Sequence, residues 1–316
     1  MTPQRVALDE RATYLAAGSF HTCAIGESGT IFCWGRNSAG QLGTGNAEPS
    51  TVPVRASMEP FAGVVVESIA LGEAHSCATA RDDFGGSSLL CWGSGESGQT
   101  GPLGSSAVPI VVSTDAGQVT AGAFHTCFVS ASSATASCMG ENTQLQCGVP
   151  GPNNISNPET PEGLEPIVDR VRAGRGNHTC AIEKSDFIHC WGENDSGQLG
   201  VFASEAATPA ETTAFELLGG LVDVQAGFAH TCALAGSEVW CWGLNESGQL
   251  GTPGPSRPDP VMVLPMTGII AIGVGTIHTC AMRSATEIYC WGGNAFGQLG
   301  NGTDVDSNSP VAVTLP

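Results

Sequence analysis

The sequence predicts an all-β protein, a β-propeller of six blades with about four antiparallel strands each, and three observations carry the prediction. One pattern recurs six times, anchored on His21, His75, His125, His178, His230 and His278 at a mean spacing of about 51 residues, so that six units consume the 316 residues. Between the anchors lie short extended pieces, such as Ile69-Ala70-Leu71 and Val239-Trp240-Cys241-Trp242, bounded by Gly, Asn, Ser and Pro turns. No long stretch has helical periodicity. A unit of this size is one blade, and radial repetition protects the exposed sheet edges.

The first unit reads Gly18-Ser19-Phe20-His21-Thr22-Cys23, then Cys33-Trp34-Gly35, Asn37 and Gly40-Gln41-Leu42-Gly43. The fifth repeats it as Gly227-Phe228-Ala229-His230-Thr231-Cys232, Cys241-Trp242-Gly243, Asn245 and Gly248-Gln249-Leu250-Gly251. Internal joints, from the last Gly of one unit to the Gly ahead of the next His, hold 20 to 28 residues, and the two termini together hold 33. One joint is therefore divided between the ends, with residues 309–313 as its first part and 13–17 as its last. The expectation is a ring closed by N- and C-terminal strands sharing a blade. No room remains for another domain, so 1–316 is read as a single domain.

Composition narrows the function classes. Eleven Lys and Arg against 30 Asp and Glu give a net charge of −19, and Lys184 is the only lysine. Binding to a phosphate backbone or an anionic membrane surface needs clustered cations, so neither nucleic acid nor membrane is expected as a partner. Hydrophobic residues make up 41%, enough for a core, and no apolar run is long enough to insert in a membrane. A monomer is expected. The N-terminus, Met-Thr-Pro-Gln-Arg-Val-Ala-Leu-Asp-Glu, has no apolar segment followed by a cleavage site. Thirteen cysteines are nevertheless many for a reduced cytosol, so the chain is read as the mature form of an exported protein, extracellular, periplasmic or at the cell surface.

The pattern Ala-Gly-x-x-His-Thr followed by Trp-Gly-x-Asn-x-x-Gly-Gln-Leu-Gly resembles the regulator of chromosome condensation repeat, over essentially the whole chain. The resemblance implies a propeller, and a family that includes guanine-nucleotide exchange, plant light sensing and protein inhibition of bacterial β-lactamases. It says little about function here, because one fold hosts unrelated activities. Six units stand where the family usually has seven blades, which leaves a smaller ring or a chain lacking a blade, and the joint lengths favour the smaller ring. The Cys-paired form is expected to be bacterial.

Twelve cysteines fall in six pairs within units: Cys23 and Cys33, Cys77 and Cys91, Cys127 and Cys138, Cys180 and Cys190, Cys232 and Cys241, Cys280 and Cys290. Each pair has one member just after His-Thr or His-Ser and one just before Trp-Gly, or before Met-Gly in the third unit. Opposed positions on neighbouring strands of a hairpin lie close enough for a disulfide. The rival reading is zinc, since His21 and Cys23 share a strand face with Cys33 opposite, but a consistent fourth ligand is missing. No metal is therefore assigned. Cys147, where other units mostly have the Leu of Gly-Gln-Leu-Gly, reads as a buried thiol, with a reactive or intermolecular thiol as the alternative.

No catalytic constellation emerges, and no cofactor is expected. Gly93-Ser94-Gly95-Glu96-Ser97-Gly98 matches a dinucleotide-binding glycine pattern literally, yet it lies in repeat register without a βαβ context. The six repeat histidines read as side chains that hydrogen-bond loop backbone between blades, and the Trp residues as inter-blade packing. His189 alternates with Cys190 and is expected on an exposed strand face. Asp304, Asp306 and Asn308 offer oxygens at alternate positions, first a solvated acidic loop and second a calcium site without the usual Gly and distal Glu.

Specificity on a repeated scaffold belongs to positions that vary against it. The two residues before each His do so, and Phe20, Phe124, Phe228 and Ile277 among them are expected to cluster at one mouth of the ring, with Glu73, Arg175 and Asn177 as polar contacts. Apolar anchors among acidic neighbours fit a protein or peptide partner. The bland alternative is that these rings plug a narrow channel. The third unit departs most, with Met139 for Trp, Leu145 for Gly and a Pro-rich stretch over 149–166, and the next unit carries an extra residue at Gly174-Arg175-Gly176-Asn177 beside Arg170 and Arg172. The sequence reads as that of a non-enzymatic interaction module. A proteinaceous inhibitor of a secreted enzyme is the second reading, and a lectin or enzyme with a central-channel site is the third.

Overall fold

Short β-rich segments separated by Gly and Pro turns build 24 strands in the computed structural model, which describes residues 5–58, 63–151, 153–164, 167–202, 205–211 and 220–315. Among these residues there is no helix. The strands form six four-stranded sheets, each made of consecutive antiparallel strands. The first holds β1 (Ala12–Ala17), β2 (His21–Gly26), β3 (Ile31–Gly35) and β4 (Ser50–Arg55). The second holds β5 (Val65–Leu71), β6 (His75–Arg81), β7 (Ser87–Gly93) and β8 (Ser106–Ser113), and the third β9 (Gln118–Ala121), β10 (His125–Val129), β11 (Ala136–Gly140) and β12 (Ile155–Glu159). The fourth holds β13 (Val168–Ala173), β14 (His178–Glu183), β15 (Ile188–Glu193) and β16 (Glu205–Glu211). The fifth holds β17 (Leu221–Ala226), β18 (His230–Ala235), β19 (Glu238–Gly243) and β20 (Arg257–Met262), and the sixth β21 (Ala271–Val274), β22 (His278–Ser284), β23 (Glu287–Gly292) and β24 (Ser307–Ala312). These are the six blades of a β-propeller.

The structure corrects the expected exchange of strands between the termini. β1 pairs within the first sheet and β24 within the sixth, and no blade is shared. The reason lies in what a joint contains. Between Gly43 and His75 the chain makes both the last strand of one blade, β4, and the first of the next, β5. Dividing such a joint between the two ends gives each end one strand of its own blade. The Pro-rich stretch over 149–166 falls partly outside the described residues, and β12 forms within it.

Val6–Ala173 packs as one compact unit and Gly174–Pro316 as a second. In the N-terminal unit the first strands of successive blades lie side by side, β1 against β5 and β5 against β9. Apolar layers fill the space between sheets. Ile25, Ile31 and Leu42 of the first blade meet Ile69, Leu90 and Trp92 of the second, and Leu89 of the second meets Phe128 and Met139 of the third. In the C-terminal unit Ile182, Ile188 and Leu199 meet Val224 and Trp242, and Leu234, Val239 and Leu250 meet Ile272 and Trp291. Each such side chain contributes about 2 kcal/mol through burial. No blade buries its apolar faces alone, so the unit of stability is the pair of neighbours.

All six cysteine pairs are disulfides, formed where the second and third strands place the partners directly opposite, as in Cys23 facing Cys33 and Cys232 facing Cys241. The Cα atoms of each pair stand 4.0–4.1 Å apart, the close spacing of a pair that exchanges no backbone hydrogen bonds. Six disulfides suggest an oxidising compartment. The fourth strands have their own repeat: Pro53, Pro109, Pro158, Pro209, Pro260 and Pro310 each lie three residues past the partner of the Gly that follows Trp or Met. Proline on an edge strand removes a donor there and discourages pairing with another chain.

Candidate protein-interaction surface

Consecutive antiparallel strands put the loops between first and second strands, and those between third and fourth, at one end of every blade. The sequence fixes this loop layer from beneath with a repeated network. In the N-terminal unit His75 Nε2 lies 2.9 Å from Thr126 Oγ1, and that hydroxyl donates to the Gln99 carbonyl at 2.9 Å. His21 meets Ser76 in the same way, and Ser76 donates to the Gln41 carbonyl. In the C-terminal unit His178 meets Thr231 and His230 meets Thr279, whose hydroxyls donate to the carbonyls of Gln198 and Gln249. The same carbonyls accept the indole N–H of the next blade's tryptophan, Trp92, Trp242 and Trp291. The expected inter-blade bond of His is present, directed at a hydroxyl rather than at loop backbone.

Glycine three residues before His has a steric reason. A Cβ on Gly227 would stand 2.6 Å from Cε1 of His230, and one on Gly18 would stand 2.8 Å from His21. The Gly after Trp has another: Gly35 and Gly243 take φ of 113° and 101°, and a Cβ on Gly243 would meet the Ala229 carbonyl at 2.6 Å. Five of the six imidazoles are buried, and His278 is half-buried. Burial holds His75 and His230 down at about 3 and His125 at about 4, with neighbouring imidazoles adding to the shift of the first two.

The loop between third and fourth strands is built around a buried asparagine. Asn245 Oδ1 accepts the Leu250 N–H at 3.0 Å while Nδ2 donates to the carbonyls of Thr252 and Gly254, and Asn37, Asn142, Asn194 and Asn294 occupy the same hub. The second blade has Gly95 there, and Thr100, standing where four other units have Leu and the third has Cys147, would collide with a Cβ on Gly95 and bonds the Gly104 carbonyl instead. The literal glycine motif of this segment is thus a variant hub with no helix after it. Cys147 is a buried free thiol whose N–H is held by Asn142, and burial raises its pKa far above the usual thiol range.

On this frame the variable side chains are presented. In the N-terminal unit Phe20 is 54% exposed with the Arg36 guanidinium 5.6 Å from its ring centroid, while Glu73 and Phe124 are half-buried and the Glu73 N–H bonds the Ala123 carbonyl. In the C-terminal unit Phe228 is 47% exposed, Ile277 and Asn177 are half-buried, and Asn177 Nδ2 donates to Glu193 at 3.2 Å. Arg175 turns inward: burial lowers its pKa, and its charge adds to the burial that lowers His278. The extra residue of this loop brings Gly176 against the Phe228 carbonyl, an approach that leaves no space for a Cβ.

Sequence reasoning missed the residue after Trp-Gly or Met-Gly. Arg36, Glu141, Glu193, Leu244 and Gly293 each donate a backbone N–H to a carbonyl of the first loop and so stand beside the predicted positions. Their variation after a Cys-Trp-Gly that departs only at Met139 was the available signal. Phe202 and Phe296, 86% and 81% exposed, were missed also, and Phe296 stands where other units have Ala39, Ser97, Gln144, Ser196 and Ser247. Two clefts of about 410 and 430 Å³ open beside the hubs Asn245 and Asn194, the second flanked by Phe202.

Other predicted features find places. His189 is half-buried rather than exposed, with Nε2 3.3 Å from Glu183, because its strand face is covered. Arg170 pairs with Asp169 and Arg172 bonds the Val171 carbonyl. Asp306 Oδ1 accepts the Asn294 N–H at 2.6 Å and so latches its loop. Among the described residues no three His, Cys, Asp or Glu side chains converge as metal ligands would, and no helix is long and apolar enough to cross a membrane.

Two family models, both described as the regulator of chromosome condensation (RCC1) repeat, match residues 28–79, 237–282 and 287–316, and 13–41 and 221–249. Together they cover half of the chain. The chain belongs to the RCC1 repeat family. Its RCC1 repeats are 31% identical to the ultraviolet-B receptor UVR8 of Arabidopsis thaliana over 250 residues, which are 76% of this chain and 55% of the receptor, so the chain spans about half of that relative's length. Human WBSCR16 superposes with a TM-score of 0.88 at 22% identity, covering 100% of this chain and 84% of the other. Prp20p of Saccharomyces cerevisiae, whose structure was described with its binding to Gsp1p and histones, superposes at 0.82 with 23% identity over 95% and 76%. At these identities the two structures show the fold alone.

Proposed function

We propose that this RCC1-type chain is a non-enzymatic, extracytoplasmic interaction module that binds a protein or peptide at the loop end of its blades. The observation that carries the reading is the contrast between layers. Histidine–hydroxyl–carbonyl bonds and, in five of the six blades, a buried asparagine hub tie the loops down, while the residues displayed above them differ from blade to blade and include Phe20 and Phe228 half in solvent. An aromatic held in place loses little entropy on binding, which is how a few side chains come to dominate an interface. Arg36 and Glu73 supply polar definition in the N-terminal unit, beside Phe20, and Asn177 and Glu193 in the C-terminal unit, beside Phe228. The disulfides support a site of action outside the cytosol.

The test is capture of partners from the extracytoplasmic fraction of the source cells on the immobilised chain, followed by titration of the purified partner. Phe20→Ala and Phe228→Ala, made separately and together, are expected to weaken binding by about tenfold or more for each anchor used. Undiminished affinity of the double variant sinks the reading. A tight one-to-one complex that silences a secreted enzyme would make the module an inhibitor.

A further inference from the structure

Five Asn-x-Ser/Thr acceptor sequences occur in the chain, at Asn154, Asn177, Asn194, Asn245 and Asn301. Two of them fall on loop hubs. Asn245 is 7% exposed, with Nδ2 donating to the Thr252 carbonyl at 3.0 Å and the Gly254 carbonyl at 2.8 Å, and Oδ1 accepting from Leu250. Asn194 is buried likewise, with Nδ2 donating to the Val201 carbonyl at 2.8 Å and Oδ1 accepting from Leu199 at 2.8 Å. Glycosylation forms a bond from Nδ2 to C1 of the sugar, breaks the C1–O bond to a lipid diphosphate, and releases one amide proton. At Asn245 both amide protons are already committed, so the product loses a loop hydrogen bond and places an oligosaccharide in a closed hub.

We infer that this chain matures in an oxidising compartment without Asn-linked glycosylation, and that Asn154 is a position where its fold accepts such a glycan. The first half rests on the extracytoplasmic reading above. Glycan transfer acts on the chain as it emerges, before the hubs close, so later burial gives Asn194 and Asn245 no protection. Nor does the loop need these acceptor sequences. The hydroxyls of Ser196 and Ser247 make no hydrogen bond in the described structure, only their N–H groups do, to Gln198 and Gln249. In the first blade Ala39 makes the same bond to Gln41 without a hydroxyl. Alanine would therefore have removed both acceptor sequences at no structural cost. Asn154 differs: it and Ser156 are exposed at the start of β12, and its side chain makes no hydrogen bond among the described residues. Asn177 and Asn301 are half-buried, the first donating to Glu193 at the end of β15 and the second accepting from Thr303 within its own loop.

The experiment directs the full chain into the secretory pathway of a eukaryotic cell and compares wild type with Ser196→Ala/Ser247→Ala, reading site occupancy by peptide mass mapping, secreted yield and protease resistance. The expected result is glycan at the hub asparagines of wild type, with secreted yield several-fold below that of the double variant. Asn154→Gln in the double variant should remove a glycan and leave yield unchanged. Equal yields of wild type and double variant, high or low, overturn the incompatibility, and a yield that depends on Asn154→Gln overturns its assignment. The same chain made in a bacterial periplasm separates the two readings. One free thiol there with equal secretory yields sinks the glycosylation inference alone, whereas thirteen free thiols sink the extracytoplasmic reading beneath it.

Discussion

Thr126 determines the tautomer of His75. The threonine hydroxyl spends its single proton on the Gln99 carbonyl, so across the 2.9 Å to His75 it can only accept, and Nε2 carries the imidazole hydrogen. Nδ1 is left bare against Gly72, with no hydrogen-bond partner.

Removing that hydroxyl strands a buried donor and a buried acceptor together. Thr126→Val is expected to lower unfolding free energy by about 2–3 kcal/mol. Thr126→Ser should cost much less, because Ser76 plays the same part toward His21 and Gln41. Denaturant midpoints of the two variants check the difference.

Acid should loosen the blades. An unfolded histidine titrates near 6.5, while burial holds His75 and His230 near 3 and His125 near 4, so the folded state binds fewer protons between those values. The stability they contribute is complete above pH 6.5 and falls by about 1 kcal/mol per pH unit for each as pH drops toward 4. Thermal midpoints measured from pH 7.5 to 4.5 should decline steeply below 6.5. A flat profile across that window would show that the imidazoles titrate normally in the fold.

Leu145 occupies the left-handed region, with φ of 64°, where the equivalent residues are glycines such as Gly40 and Gly248 at 81°. Leu145→Gly is expected to stabilise the third blade by about 0.5–1 kcal/mol, as relief of strain outweighs the added freedom of the unfolded chain. Calorimetry that shows a lower midpoint would mean that the half-buried leucine side chain contributes more than its backbone costs.

The disulfides close loops of 9 to 14 residues. Replacing both members of one pair, Cys232→Ala/Cys241→Ala, should cost about 2–3 kcal/mol while leaving the remaining five bridges and the single thiol Cys147 in place. Urea unfolding with and without reductant reads the cost, and reductant should then lower the midpoint of both proteins further.

Much of this was legible without coordinates. Six recurrences of one unit, built on His-Thr, Cys-Trp-Gly and Gly-Gln-Leu-Gly with Ser76, Thr100, Met139, Leu145 and Cys147 as departures, specify six blades, because each motif residue makes one short-range geometric demand that a blade of this kind meets. The cysteine pairs were readable for the same reason: facing positions on a hairpin are set by local register. Compensation was harder to see. Gly95 and Thr100 look like two independent departures, and only their contact shows one occupying the space the other vacates. The inward turn of Arg175 and the cover over His189 were also hidden, since the spacing of residues along a strand does not reveal what lies across from it.

By itself the sequence determined the blade count, the disulfide pairing and the acidic, lysine-poor character of the chain, all of which follow from local repetition and composition. Only the tertiary structure decided which strands belong to which blade at the termini, which asparagines are buried hubs, and which variable residues reach solvent. Those outcomes depend on contacts between blades some 50 residues apart along the chain, and on whether a side chain meets a neighbour or water once the blades have packed.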